Sequence, residues 1–326
     1  MSGIIMSDKL PDMQKSTTGF YKKGIEKVGV RNIISKLPIQ MKDGSVQTVT
    51  ASISSYCSLD ANTKGINMSR ISRTINKVLS EESSNNGFRD LERFVTELVE
   101  AHGSPDVYIK AKATMVIDWK APMTQEYSQQ PFDIVIESQF RDGEYKTFLT
   151  VKSCEMSLCP CSKTMSLLVN NVTDEEMAVI ESLPESLKEK VKMAGFGAHN
   201  QRSEITVKVE LSKDKSNILW IEDIKHLVIE KSSSCPTFSV LKRPDEKMVT
   251  ECSYVGGYFD DEKKFNKVEG TGPKFVEDIA RDVASVLDNE LDKTINDYCI
   301  VVNNQESIHS QDILATSVLT AGRKLK

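Results

Sequence analysis

From Val28 onward, apolar and polar positions alternate in short runs and then switch to helical spacing, and the switch points divide the chain into elements. Two strands are predicted around Asp43-Gly44, a dipeptide suited to a tight hairpin turn. In the second strand, 46–56, Val49, Ala51 and Ile53 share one parity, and Val46, Thr48, Thr50, Ser52 and Ser54 share the other. Beyond Lys64-Gly65 the period lengthens, and Ile71, Ile75, Val78 and Leu79 fall on one helix face. After Asn85-Asn86-Gly87, the spacing of Leu91, Phe94, Val95, Leu98 and Val99 predicts a second helix, stopped at Gly103-Ser104-Pro105. Strand character returns at 107–119 and 132–140, and Asp142-Gly143 then turns the chain into another strand ending near Cys154. The first part therefore reads as two strands, two helices, two strands.

The same order recurs downstream. Residues 145–156 and 204–211 are strand-like, the latter with Ile205, Val207, Val209 and Leu211 on one face. Residues 218–230 read as helical. A stronger helix is predicted from Pro273 to about Leu291, with Phe275, Ile279, Val283, Val286, Leu287 and Leu291 at helical spacing. Pro273 suits the first helical position, where its missing N–H costs nothing. Segments 298–302 and 313–319 close the pattern as strands. The element order repeats without a residue-level repeat. Two stretches read as insertions: 173–193, charged, capped by Thr173-Asp174-Glu175-Glu176 and broken at Pro184, and 256–272, read as a long surface loop.

Composition narrows the class. Hydrophobic residues at 39% and charged residues at 27% are those of an ordinary globular protein, and 326 residues suffice for about two domains. A net charge of -5 argues against a general nucleic-acid binder. No apolar run is long enough to cross a membrane, and the polar lead 1–25 lacks the apolar core of a signal peptide. Seven cysteines scattered over so long a chain are not a disulfide framework and point to a reducing, cytoplasmic setting.

Cys159-Pro160-Cys161 stands out within that set, because it lies at the end of a strand-like run and is followed by Ser162-Lys163. Downstream, Gly197-Ala198-His199-Asn200-Gln201-Arg202 carries one of only four histidines. Thiolate and imidazole are the donors a zinc-type ion prefers, although the Cys-x-Cys spacing alone is weak. Other candidates are Leu241-Lys242-Arg243-Pro244-Asp245-Glu246, which composition reads as a solvated loop, and Glu277 and Asp278 at a helix start. The last is Glu306-Ser307-Ile308-His309, just beyond a strand.

Taken together and in this order, SLCPCSK (157–163), GAHNQRS (197–203), LKRPDE (241–246), PKFVED (273–278) and ESIH (306–309) resemble the type IB GTP cyclohydrolases. KGINMSR (64–70) is a weaker match, and the likeness spans about residues 26 to 315. The resemblance implies an α+β chain of tandem tunnelling-fold units, each ββααββ, with an antiparallel sheet and helices on one face. The units would be 26–141 and 142–326, the second with insertions near 167–194 and 256–272.

The implied activity is hydrolytic opening of the guanine imidazole ring of GTP to 7,8-dihydroneopterin triphosphate and formate, the first step of folate and pterin synthesis. Cys159, His199 and Glu246 would bind a divalent metal, zinc or manganese or else ferrous iron, with Cys161 as an auxiliary neighbour. His309 would transfer protons beside Cys159 at the reacting centre, and Glu277 would anchor the guanine. Lys163, Arg202 and Arg70 are candidates for the triphosphate. The family also implies a homo-oligomer, dimer or tetramer, with active sites at subunit interfaces, and neither a nucleic-acid nor a membrane partner. Asn67 and Gln311 stand where family members often carry histidine. The alternatives are a catalytically silent purine- or pterin-binding tunnelling-fold protein and an archaeal-type enzyme giving a cyclic phosphate.

Overall fold

The computed structural model describes residues 23–80, 87–169, 172–193, 197–214, 216–231, 240–310 and 314–321. Gln311 and Ile313, singled out in the sequence, lie outside them, as does Cys235. The chain forms two compact units. One comprises the residues up to Ala113 together with Val135–Phe148, and the other Thr114–Ile134 with the residues from Leu149 on. The expected division at 141/142 thus falls inside the segment Val135–Phe148 of the first unit.

In the first unit, β1 (Ile25–Gln40) and β2 (Val46–Leu59) form an antiparallel hairpin with Leu37 opposite Val49. Its turn is fixed by Asp43, whose carboxylate accepts the Ser45 N–H at 2.9 Å. Helices α1 (Met68–Ser80) and α2 (Gly87–His102) follow, both packed on β1. Ile71, Ile75, Val78, Leu91, Phe94, Val95 and Leu98 are buried, as their spacing predicts. Each such side chain contributes about 1.5–3 kcal/mol on removal from water. Strands β3 (Val107–Lys120) and β4 (Tyr127–Arg141) complete the ββααββ order, their halves beside the connecting turn, Thr114–Ile134, being counted with the second unit; β2 and β3 are antiparallel with Ser55 opposite Ile109.

The second order begins with β5 (Glu144–Leu158) and β6 (Asn200–Leu211) and continues through two helices, α6 (Ile221–Lys231) and α8 (Val276–Glu290). It closes with β9 (Ile295–Gln305) and β10 (Leu314–Thr320), and β5, β6, β9 and β10 are hydrogen-bonded neighbours in that order. Val207 faces Ile300 in the antiparallel β6–β9 pair, and Val301 faces Val318 in β9–β10. Between β5 and β6 lie α3 (Pro160–Val169), α4 (Asp174–Ser182) and α5 (Glu185–Met193). Thr173 caps α4 in a capping box with Glu176, and Pro184 separates α4 from α5, both as the sequence predicts.

Three expectations need correction. The charged run 241–246 opens a helix, α7 (Arg243–Val255), which ends at Gly256 in the left-handed conformation, φ 72°. The supposed loop 256–272 contains a short hairpin, β7 (Gly257–Phe259) with β8 (Phe265–Lys267). Pro273 does not open α8. The Lys274 N–H donates to the Leu158 carbonyl at 3.2 Å and the Phe275 N–H to the Asp278 carboxylate at 3.0 Å, so helical winding starts only at Val276.

Candidate active site

The second unit gathers several of the sequence motifs at one edge of its sheet. There β5 ends, the antiparallel β6 begins and β9 ends. Antiparallel pairing is what brings segments some forty and a hundred positions apart in sequence to the same side.

Cys159 follows the last residue of β5, and Pro160 opens α3 directly after it. The Cys159 carbonyl accepts the Lys163 N–H at 3.1 Å, and its Sγ accepts the Ser162 N–H at 3.5 Å. The sulfur therefore occupies the place of a helix-capping oxygen, accepting the N–H of the third helical residue. His199 is strapped alongside. Its carbonyl accepts the Cys159 N–H at 3.4 Å, and its own N–H donates to Ser162 Oγ at 3.3 Å. The His199 Nδ1 is buried and has no hydrogen-bond partner. A buried polar atom left in that state costs about 1–3 kcal/mol, so a further ligand at this nitrogen would be favourable.

A buried polar layer holds these strand ends. Ser203 Oγ lies 2.7 Å from Ser157 Oγ and donates to Asn304 Oδ1 at 2.5 Å. Gln201, oriented so that both ends of its amide are satisfied, accepts from Asn304 at 2.7 Å and donates to Glu306 at 3.0 Å. Ser157, Gln201, Ser203 and Asn304 are all buried. One network thus ties β5 two residues before Cys159, β6 two residues after His199, and β9 just ahead of His309. Beyond β9, Ser307 Oγ donates to the Asn200 carbonyl at 2.8 Å and the His309 N–H to the Glu306 carbonyl at 3.3 Å. His309 and Arg202 are exposed at this edge, as is Cys161 on the first turn of α3. The Lys163 ammonium donates to the Tyr254 carbonyl.

Glu246 is exposed in the first turn of α7. Its helix reaches the Cys159–His199 pair only at the opposite end, where Tyr254 bonds to Ala198. Eight residues of helix separate Glu246 from Tyr254, about 12 Å of rise. Among the described residues, no three His, Cys, Asp or Glu side chains converge as a metal site. The donor types and the vacant His199 Nδ1 fit a divalent ion at Cys159 and His199, and Glu246 is not brought to them.

The neighbouring Asp245, part of the charged run that composition reads as a solvated loop, is fully buried. It accepts from the Thr124 hydroxyl at 2.6 Å, from the Met123 and Thr124 N–H groups at 2.9 and 3.0 Å, and from Lys242 N–H at 3.1 Å. Burial alone would raise its pKa, but these donors outweigh burial and hold it at about 2. Asp245 fastens the start of α7 to the β3–β4 turn, which belongs to the same unit.

Glu277 is exposed in the first turn of α8. The approach to that helix is anchored by Lys274, whose amine meets Asp282 at 2.9 Å and the Lys231 carbonyl at 2.9 Å. Burial lowers the Lys274 pKa against the opposing pull of Asp282. Arg70 belongs to the first unit, where its guanidinium donates to the Ala101 carbonyl at 3.1 Å. It lines a cleft with Asn67 and His102, and Asn67 accepts the Ser69 hydroxyl at 2.6 Å at the start of α1.

Two ββααββ orders and a cysteine–histidine pair at strand ends define a tunnelling-fold protein with a candidate metal centre. The likeness to solved structures bears on the fold alone: a crystal structure of a highly active BTUO mutant aligns with a TM-score of 0.51 at 8% identity, covering 92% of this chain and 100% of that one. The sequence matches the family described as "Type I GTP cyclohydrolase folE2" over residues 10–259 and 260–315. A protein named GTP cyclohydrolase FolE2 from Magnetococcus marinus is 32% identical over 293 residues, 89% of each chain. Another of that name, from Thiobacillus denitrificans, is 32% identical over 306 residues, 94% of this chain and 93% of the relative. The chain belongs to the type I GTP cyclohydrolase FolE2 family.

Proposed function

We propose that this chain hydrolyses GTP at the guanine imidazole ring, releasing formate and giving 7,8-dihydroneopterin triphosphate. The GTP cyclohydrolase activity follows from membership of the family over nearly the whole chain. The observation that carries the site is the pairing of Cys159 with His199 and its partnerless buried Nδ1.

Cys159, His199 and Glu246 are the residues proposed to hold a divalent ion, zinc, manganese or ferrous iron, with Glu246 joining the other two at a boundary between copies of the chain. When bound, such an ion supplies hydroxide near neutral pH by lowering the pKa of its water to about 7. The chain's own groups do the rest. The exposed Glu277 carboxylate can accept paired hydrogen bonds from the guanine N1–H and exocyclic amine, a pattern adenine lacks. His309, exposed on a turn held to Asn200, is the proposed proton-transfer group. Arg202, Lys163 and Arg70 are the proposed cations for the triphosphate, although Lys163 is already bonded to the Tyr254 carbonyl. Because Glu246, Glu277 and His309 all face solvent, a site completed at the boundary between copies of a homo-oligomer, dimer or tetramer, suits them. A reducing, cytoplasmic location is in keeping with the six described cysteines, none of which forms a disulfide. Among the described residues, no helix is long and apolar enough to cross a membrane.

The test is to incubate metal-reconstituted protein with GTP and follow formate and a fluorescent oxidised pterin. Turnover giving the linear triphosphate is the expected result. A cyclic phosphate would indicate the archaeal-type reaction, and no turnover with zinc, manganese or ferrous iron would overturn the proposal.

A further inference from the structure

Tyr254 joins three of the motif segments. It lies near the end of α7, the helix whose first turn carries Glu246. Its hydroxyl accepts the Ala198 N–H at 2.8 Å and donates to the Ala198 carbonyl at 3.1 Å. A single hydroxyl thereby satisfies both backbone groups of the residue preceding His199. Gly197 fits beneath the same hydroxyl, since a Cβ there would approach it to 3.3 Å. From its backbone, Tyr254 accepts the Lys163 ammonium, and Lys163 shares α3 with Ser162, the acceptor for His199 N–H.

We propose that Tyr254 is a positioning residue that sets the backbone of His199 and so directs its vacant Nδ1 to the ion; this rests on the metal reading above. The segment 197–199 has no regular secondary structure of its own. The bonds named here, from Cys159 and Ser162 on one side and Tyr254 on the other, define its path. Without the hydroxyl, the Ala198 N–H and carbonyl lose their partner and the segment is released on the Tyr254 side. Removing groups that orient metal ligands typically weakens metal affinity about 10- to 100-fold. The cleft at Arg70 belongs to the proposed phosphate contacts, and the buried Lys225–Glu155 pair is closed to any ligand.

The test titrates metal-free wild type and Tyr254→Phe with cobalt(II), reading the thiolate-to-cobalt charge-transfer absorption and the visible d–d bands. Tyr254→Phe should bind cobalt about 10- to 100-fold more weakly and show altered d–d intensities, while melting near the wild-type temperature. Val249→Ala removes core packing from the same helix and is the control. It should lose stability but keep cobalt affinity and spectrum. Tyr254→Phe protein that bound cobalt as tightly as wild type, with the same spectrum, would overturn the role. So would an equal weakening in Val249→Ala. Wild-type protein that bound no cobalt would overturn the metal reading and the positioning role with it.

Discussion

The inward-facing positions of the two units differ more than their shared element order suggests. In β2 and β3 the buried parity runs Val49, Ala51, Ile53, Ser55, Cys57 and Val107, Ile109, Ala111, with one polar residue, Ser55, satisfied by the Tyr108 carbonyl at 2.9 Å. In the second unit the same parity turns polar as each strand nears the site edge. It holds Ser153, Glu155 and Ser157 in β5, Gln201 and Ser203 in β6, and Asn304 in β9. A core that needs only cohesion can be apolar throughout. A core that must hold three strand ends in register for chemistry uses directional bonds, which fix geometry more narrowly than non-directional packing.

Replacing one cysteine in each unit has the largest expected effect and separates the two kinds of core. Cys159→Ala should abolish tight metal binding and turnover, a loss beyond the roughly 100-fold typical of outer-shell partners. Cys57→Ala, at a buried site whose thiol is pushed up to about 11 by burial, should cost stability and leave metal content unchanged. Metal analysis of both purified variants decides it. A Cys159→Ala protein with full metal content would remove the assigned ligand. His309→Ala should instead retain metal and lose turnover, measured as formate release.

The next effect is on folding. Lys225 is 1% exposed, and its amine meets Glu155 Oε1 and Ser153 Oγ, each at 2.6 Å. Lys225→Met should destabilise the protein by about 3–5 kcal/mol, because it leaves the Glu155 carboxylate buried without its countercharge. Pairing it with Glu155→Gln should recover a large part of that loss in denaturant melts. If the single variant cost under about 1 kcal/mol, the buried pair would not be a constraint of the second unit at all.

These same features explain what the sequence disclosed. The elements of the first unit were readable because their buried positions are mostly apolar, at periods of two and 3.6. Helix α7 was hidden for the opposite reason. Its buried positions are Asp245, Val249, Glu251, Cys252 and Ser253, and three of the five are polar, so the stripe reads as a charged loop. The motif residues Cys159, His199 and His309 were legible by residue type and order, and pairing of distant strands was needed to place them at one edge. The polar layer left a usable signal, since Gln201 and Ser203 continue the parity of Ile205, Val207 and Val209. Polar residues on an apolar parity mark a strand end that is held for a purpose.

A smaller effect probes the start of α7. Asp245→Ala should cost about 1–3 kcal/mol, since the Met123 and Thr124 N–H groups lose their acceptor. Asp245→Asn keeps an acceptor oxygen and should cost less. If the alanine variant melted like wild type, Asp245 would not be what fastens the helix to the turn.

The smallest effect tests whether the units respond alike to acid, because each contains a histidine whose pKa is lowered chiefly by burial. His102 in the first unit is also opposed by Arg70, whereas His226 in the second stacks on Trp119 at 4.9 Å with nearby acids pulling the other way. For either residue the unfolded chain, titrating near 6.5, binds a proton before the folded one does. The stabilising contribution is therefore complete above pH 6.5 and is lost as pH falls from there toward the lower folded pKa. His102→Gln and His226→Gln should each flatten the fall in melting temperature over that window. Because Arg70 acts on His102 through charge, added salt should flatten the His102 part further and leave the burial part of His226 in place. An acid response unchanged in both variants would show that neither imidazole governs it, and a salt effect confined to His226 would reverse the contrast between the units.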